Sequence, residues 1–187
     1  MSHNIPAPKP RSLYLSTQVD QASMGMISTA ILDINQNDEY IAKMAEIHGM
    51  VYNPKPITIY IDSYGGYVYQ CFGLLSVMKN STVPIHTVVT GCAMSCGFMI
   101  AITGHERYAY EKATFMYHQV SGGTHGKIKE VEEDLIEAKR LQKMIEDHAI
   151  ANTGLTRKQL KENYDAKHDW FMNTKDALKY KVIDAII

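Results

Sequence analysis

Short β-branched runs and apolar stripes at helical spacing follow one another along this chain, and their order predicts strand–helix units. Residues 13–19 (LYLSTQV) read as a short edge strand, and residues 22–34 carry apolar side chains at helical intervals. Residues 33–56 are polar, yet Ile41, Met44, Ala45 and Ile47 recur there at helical spacing. That stretch is either a helical insertion or an extension of the first helix. Residues 57–61 (ITIYI) form a β-branched run, followed by the turn Asp62-Ser63-Tyr64-Gly65-Gly66 and an amphipathic helix over 68–78. Residues 84–90 (PIHTVVT) repeat the strand pattern, and residues 91–97 (GCAMSCG) lead into a second apolar helix over 95–102. Strand–helix units in tandem imply parallel strands joined by right-handed crossovers, an α/β fold.

Residues 107–110 and 113–117 read as a pair of strands turning at Glu111 and Lys112, with His118 at the end of the second. A glycine-rich, flexible stretch follows at 122–126. Residues 127–152 then form one long charged helix, whose apolar stripe runs through Ile128, Val131, Leu135, Ala138, Leu141, Ile145 and Ala149. Gly154 marks its end. Thr156 suits the N-cap of a short helix to Asn163, and Thr174 that of another through Tyr180, before a terminal strand over 182–186. No repeat or linker divides the chain, so one domain is expected.

Composition narrows the partners. The 187 residues carry 19 Lys+Arg against 20 Asp+Glu, a formal charge of -1, which offers no electrostatic footprint for nucleic acid or an anionic membrane. No apolar run approaches the ~18 residues of a membrane span, and residues 1–12 hold three prolines and no apolar signal region. Cys71, Cys92 and Cys96 are an odd number in apolar surroundings and read as reduced thiols. A soluble protein of the reducing cytoplasm is expected.

The chemistry concentrates at two turns. Gly65-Gly66 after a strand signals a tight turn or a close backbone approach. Ser95 stands at a strand-to-helix junction between Gly91 and Gly97, where it is either a helix N-cap or an exposed nucleophile. A serine hydroxyl attacks only when a base removes its proton, so the base must be sought among eight histidines. His3, His48, His105, His125 and His148 lie in polar stretches and read as solvated, and His86 begins a strand. His118 ends a strand beside the glycine-rich stretch, where α/β proteins place chemistry; a packed core histidine is its other reading.

Residues 57–66 (ITIYIDSYGG) resemble the strand and S-P-G-G turn of the ClpP family, residues 91–97 (GCAMSCG) its G-x-A-A-S-M-G nucleophile motif, and residues 116–119 (MYHQ) its M-I-H-Q. Residues 169–184 (DWFMNTKDALKYKVID) are similar to its closing motif. The resemblance covers 11–187 with the four motifs in the family's order. It implies a ClpP/crotonase-like fold of repeated β-α units, with residues 1–187 as one serine peptidase domain, 1–10 a flexible N-terminus and 127–152 the handle helix. It implies a serine endopeptidase acting through an acyl-enzyme, with Ser95 the nucleophile, His118 the general base and Asp169 the residue orienting the imidazole. Gly66 and Cys96 would offer backbone N–H groups to the oxyanion. Gly65, Gly66, Tyr67 and Val68 on one side, and Val120, Ser121 and Gly122 on the other, would hold the substrate as an added strand. The resemblance implies stacked heptameric rings of identical subunits, peptide or unfolded-protein substrates, an AAA+ unfoldase partner, and neither cofactor nor metal.

Some positions depart from the family. Tyr64 replaces a proline and Cys96 a methionine, without touching a side chain needed for proton transfer; since only its backbone N–H would act, the Cys96 side chain is irrelevant to the chemistry. Two residues are missing between Ser95 and His118 and about two gained between Gly154 and Asp169. Asp165 therefore competes with Asp169, which is preferred for the residues that follow it. Residues 38–50 are inserted, His168 replaces an arginine and Lys127 a glutamine, while Glu130 keeps the acidic member of that network. Only about ten residues precede Arg11, so most of the family's axial segment, which meets the unfoldase, is expected to be absent. A divergent or phage-type member fits these features. The rivals are a crotonase-like acyl-CoA enzyme, which the serine, histidine and aspartate argue against, and a catalytically silent ring subunit, which the intact motifs argue against.

Overall fold

A computed structural model describes residues 7–187 of the chain. The sheet begins with β1 (Ser12–Leu15), β2 (Ile57–Ser63) and β3 (Ile85–Met94), which are parallel in that order, with Leu15 beside Ile61 and Ile61 beside Val89. Alternate residues Ile57, Ile59 and Ile61 are fully buried, as the β-branched run required. Between β1 and β2 runs α1 (Gln21–Ile47), a single helix opened by a capping box of Asp20 and Ser23. The polar stretch is thus an extension of the first helix as far as Ile47, and leaves it from there to Pro56. The buried stripe of α1 (Met24, Ile27, Ile31, Ile34, Asp38, Ile41, Ala45) runs unbroken into the insertion. The one acid in that stripe, Asp38, is held by the Arg11 guanidinium and by the Tyr52 hydroxyl, which donates at 2.7 Å. That pairing makes its burial tolerable.

After β2 comes α2 (Val68–Lys79), and after β3 the short α3 (Cys96–Ala101), which packs on β3 and α2. Next come β4 (Glu106–Ala109) and β5 (Thr114–Tyr117), which form no hairpin. Both run parallel to β3, β4 against His86–Val89 and β5 against Cys92–Met94. A bend at Gly91 separates the two halves: a Cβ there would collide with the Asp62 carboxylate, which accepts from the Cys92 N–H at 2.9 Å. The chain continues through α4 (Ile128–Asn152), α5 (Arg157–Ala166), β6 (Trp170–Met172), α6 (Thr174–Lys179) and β7 (Ala185–Ile186). β6 lies antiparallel on β5, and β7 pairs with β4. Thr156 caps α5 as expected, but α6 is capped by Asn173, whose side chain accepts from the Asp176 N–H at 2.9 Å. The C-terminal half of α4 buries Leu141, Ile145 and Ala149, whereas Ile128 and Leu135 in its N-terminal half are 79% and 52% exposed.

The flexible N-terminus expected over 1–10 lies outside the described residues as far as position 6. Lys9, beyond it, pairs with Asp33 on α1 at 3.2 Å. Among the described residues no helix is long and apolar enough to cross a membrane.

Candidate active site

The site is built where β2, β3 and β5 end. Past β2 the chain makes the glycine turn. The Ser63 hydroxyl donates to the Thr17 carbonyl at 2.5 Å and accepts from the Gly65 N–H at 3.2 Å, so the turn is tied to the end of β1. Gly65 has φ +95°, and a Cβ on it would lie 2.7 to 2.9 Å from the Met94 carbonyl oxygen, the Ser95 Cβ and the Cys96 nitrogen. Glycine is needed because the turn lies directly against the serine. Gly66 bridges in parallel to Val19, whose N–H goes to the Gly65 carbonyl and whose carbonyl takes the Tyr67 N–H, each at 2.8 Å. That pattern leaves the N–H and C=O of Gly66 itself facing away from Val19.

Ser95 follows β3 with φ 53° and ψ −120°, a conformation L residues rarely adopt, and its side chain caps nothing. Ser95 thus holds the N-cap position of α3 without capping it through its hydroxyl, and such strain accompanies residues presented for a task. Its N–H donates to the Met116 carbonyl at 2.9 Å, which carries the β3–β5 ladder one step further. His118 lies just beyond the end of β5. Ser95 and His118, both half-buried, line the same small cleft of about 40 Å³. Asp169 immediately precedes β6, and the antiparallel register Phe115↔Met172, Met116↔Phe171, Tyr117↔Trp170, continued one pair outward, sets it opposite His118. Asp165 sits instead on α5, where Lys161 holds it at 2.5 Å in an exposed ion pair. Among the described residues no hydrogen bond joins any two of Ser95, His118 and Asp169.

Gly66, Val68, Val120 and Ser121 also line the cleft. Gly65 buttresses Ser95 instead, Tyr67 opens α2, and Gly122 borders a larger cavity of about 550 Å³ between the loop after His118 and α4. Four lining residues were missed from sequence: Met99, Tyr117, Gln119 and Ile145. Met99 and Ile145 are core-type side chains on α3 and α4, and nothing local distinguishes them from ordinary packing. Burial, with Glu146 nearby, pushes the Tyr117 hydroxyl well above the usual phenol range.

The Cys96 side chain has a structural part. Its thiol donates to the Gly66 carbonyl at 3.2 Å, and the Cys71 thiol donates to the Cys96 carbonyl at 3.6 Å. The serine turn and the glycine turn are thereby linked through sulfur. A hydrogen bond between the two thiols draws Cys96 below the usual thiol range and, together with burial, pushes Cys71 well above it. All three cysteines are free and buried. Among the other histidines, His105 meets the Ile85 N–H at 3.1 Å, and His148, read as solvated, is largely buried against Thr103 at 2.8 Å. His3 lies outside the described residues. Among the described residues no group of three His, Cys, Asp or Glu side chains is gathered to hold a metal ion.

The arrangement sets a strained serine and a histidine on one cleft, with backbone N–H donors nearby. The N–H of Cys96 opens a helix and has no intrahelical partner, and that of Gly66 faces the Cys96 sulfur. Against known proteins, the family model of the Clp protease matches residues 10–187. The chain is 27% identical over 179 residues to the ATP-dependent Clp protease proteolytic subunit of Porphyromonas gingivalis, covering 95% of this chain and 73% of that one. It is 34% identical over 143 residues to the subunit of that name from Streptococcus mutans, covering 72% and 70%. The corresponding subunit of Deinococcus radiodurans is 28% identical over 182 residues, covering 96% and 81%.

Proposed function

The chain belongs to the Clp protease family, and from that premise we propose that it is a serine endopeptidase in which Ser95, His118 and Asp169 form the catalytic triad. The observation that carries this reading is that three adjacent strands, β3, β5 and β6, bring these residues to one end of the sheet, with Ser95 and His118 lining one cleft. His118 takes the proton of the Ser95 hydroxyl as its oxygen attacks the substrate carbonyl. The N–H groups of Gly66 and Cys96 stabilise the negative oxygen that forms. His118 then returns the proton to the leaving amine, the acyl group remains on Ser95, and a water activated by His118 releases it as the acid. Asp169 accepts from the imidazole and keeps the other ring nitrogen facing the serine. The hydrogen bonds among the three close when substrate or a neighbouring subunit orders the loop after His118, as is common at sites without substrate.

The substrate lies as an extended strand between Gly65–Val68 and Val120–Gly122, so main-chain hydrogen bonds hold it with little demand on sequence. Unfolded polypeptides are the substrate class that presents such a strand. The chain acts as one domain within cytoplasmic rings, stacked heptamers, and the exposed half of α4 supports the assembly. Ser95→Ala tests the reading. Hydrolysis of small fluorogenic peptides and labelling by a fluorophosphonate should both vanish, with the fold and particle mass unchanged. Retention of more than a small fraction of the activity would point to another nucleophile, with Cys96 first.

A further inference from the structure

We propose that Gln142, on α4, is a positioning residue that holds the chain on both sides of His118 through a single side-chain amide. The inference rests on the reading of His118 as general base, and it adds a residue that neither motif nor family resemblance marks.

The Val120 N–H donates to Gln142 Oε1 at 2.8 Å, and Gln142 Nε2 donates to the Glu146 carboxylate at 2.8 Å and toward the Tyr117 hydroxyl at 3.5 Å. Tyr117 immediately precedes His118, and Val120 follows it by two. Beyond the strand ladder that ends at Tyr117, the bond from Val120 to Gln142 is the only hydrogen bond tying residues 118–123 to the rest of the protein, among the described residues. The histidine and the cleft-lining segment after it therefore hang between one ladder and one amide.

The amide can face only one way. The Glu146 carboxylate accepts and cannot donate, so it must meet the nitrogen; the Val120 N–H donates, so it must meet the oxygen. Gln142 is 9% exposed, so a reversed amide would set a donor against the Val120 N–H and an oxygen against the Glu146 carboxylate in a place water scarcely reaches. This residue type therefore does more than fill space, which a methionine of similar length would also do. A side chain locked in one orientation by a carboxylate on its own helix is a rigid anchor for a segment with no other hydrogen-bonded support. It fixes where the imidazole starts, and because it occupies the Val120 N–H, it decides which backbone groups of 119–121 remain for a substrate strand.

The test compares Gln142→Met, which keeps length and loses these hydrogen bonds, with Gln142→Glu made together with Glu146→Gln, which keeps the acceptor for Val120 and exchanges carboxylate and amide so that no two carboxylates face each other. Each is compared with wild type for fluorophosphonate labelling of Ser95, for kcat and KM on a fluorogenic peptide, and for hydrogen exchange of the peptide spanning 118–123, at unchanged particle mass. The methionine variant should label and turn over about tenfold more slowly, the effect of one lost hydrogen bond with its donor left buried. Its 118–123 segment should exchange faster, while the double variant recovers most of both. Labelling by Gln142→Met at the wild-type rate, or unchanged exchange, overturns the proposal even if the melting temperature falls. Wild-type protein that takes no label on Ser95 overturns the nucleophile and, with it, a catalytic purpose for the anchor. Should the methionine variant fail to fold, a double variant as slow as Ser95→Ala also overturns it.

Discussion

Ser95 keeps a backbone conformation that costs on the order of 1–3 kcal/mol because everything around it is fixed: Gly65 against its Cβ, the Met116 carbonyl on its N–H, and the Cys96 thiol on Gly66. Register favours Asp169 as the third member of the proposed triad. Asp169 faces His118 across an antiparallel pair, and Asp165 is engaged with Lys161 on an exposed helix. An amide in place of the orienting carboxylate preserves shape and favours the wrong imidazole tautomer. Asp169→Asn should therefore lower kcat by orders of magnitude, toward the ~10⁴ that the same change costs a chymotrypsin-type triad, with assembly intact. Asp165→Asn loses only a surface ion pair and should stay within a few-fold. Steady-state kinetics on a fluorogenic peptide decides, and reversed results would move the insertion to the other side of the third residue. The strand-end positions of Ser95 and His118 were legible in sequence because glycines follow them, whereas Asp169 came from the family resemblance alone, since no strand was read at Trp170–Met172. Gln142 was not legible, since its meaning lies in partners 22 and 25 positions away.

Among the elements, those with a clean period were read to within a few residues. The β-branched runs became β2 and β3, each extending further than read, and the stripe that begins at 33 became the second half of α1 as far as Ile47. The failures have tertiary causes. β4 and β5 looked like a hairpin because a turn separates them, but β3 is long enough, and bent enough at Gly91, to pair with each in succession. The stripe of α4 was continuous in sequence and is divided in space: Leu141, Ile145 and Ala149 meet the core, while Ile128 and Leu135 stand exposed on the isolated chain. Apolar side chains on so charged a helix are poor company for water, and contiguous exposure of this kind marks an association surface. In the proposed assembly this half is buried between subunits. A carboxylate placed there would have to be desolvated without a partner. Leu135→Glu should accordingly break the particle into smaller species in sedimentation while leaving the circular dichroism of the subunit unchanged; an undiminished mass would remove this face from the interface.

At the scale of the whole molecule, the C-terminal third is fastened to the sheet by a few polar contacts. Arg107 on β4 pairs with Asp184 at 2.6 Å and also reaches the Asn152 carbonyl at the end of α4. Nearby, His148 on α4 is packed against α3. The Thr103 hydroxyl donates to the Met99 carbonyl at 2.8 Å, so its oxygen accepts from His148 Nε2 at 2.8 Å, and the imidazole is neutral with its proton on that nitrogen. Burial, with the Lys79 ammonium of α2 adding to it, lowers His148 from 6.5 to about 4. Above pH 6.5 the folded and unfolded chains both carry it neutral, and it has no effect on the pH dependence. Between about 6.5 and 4 the unfolded chain binds a proton that the folded chain refuses, so stability falls as pH falls. Below about 4 both forms are charged and the loss stops growing, at a total on the order of 3 kcal/mol. Asp184, held below the usual carboxylate range by Arg107, loses its contribution only at lower pH, which leaves the upper window to His148. Urea unfolding midpoints of wild type and His148→Gln, whose amide can still donate to Thr103 but does not titrate, should therefore diverge as pH drops from 6.5 to 4. The variant should lose less. Parallel curves through that window would mean that His148 takes up its proton in the folded state as easily as in water, and that α4 gives way locally before the sheet does.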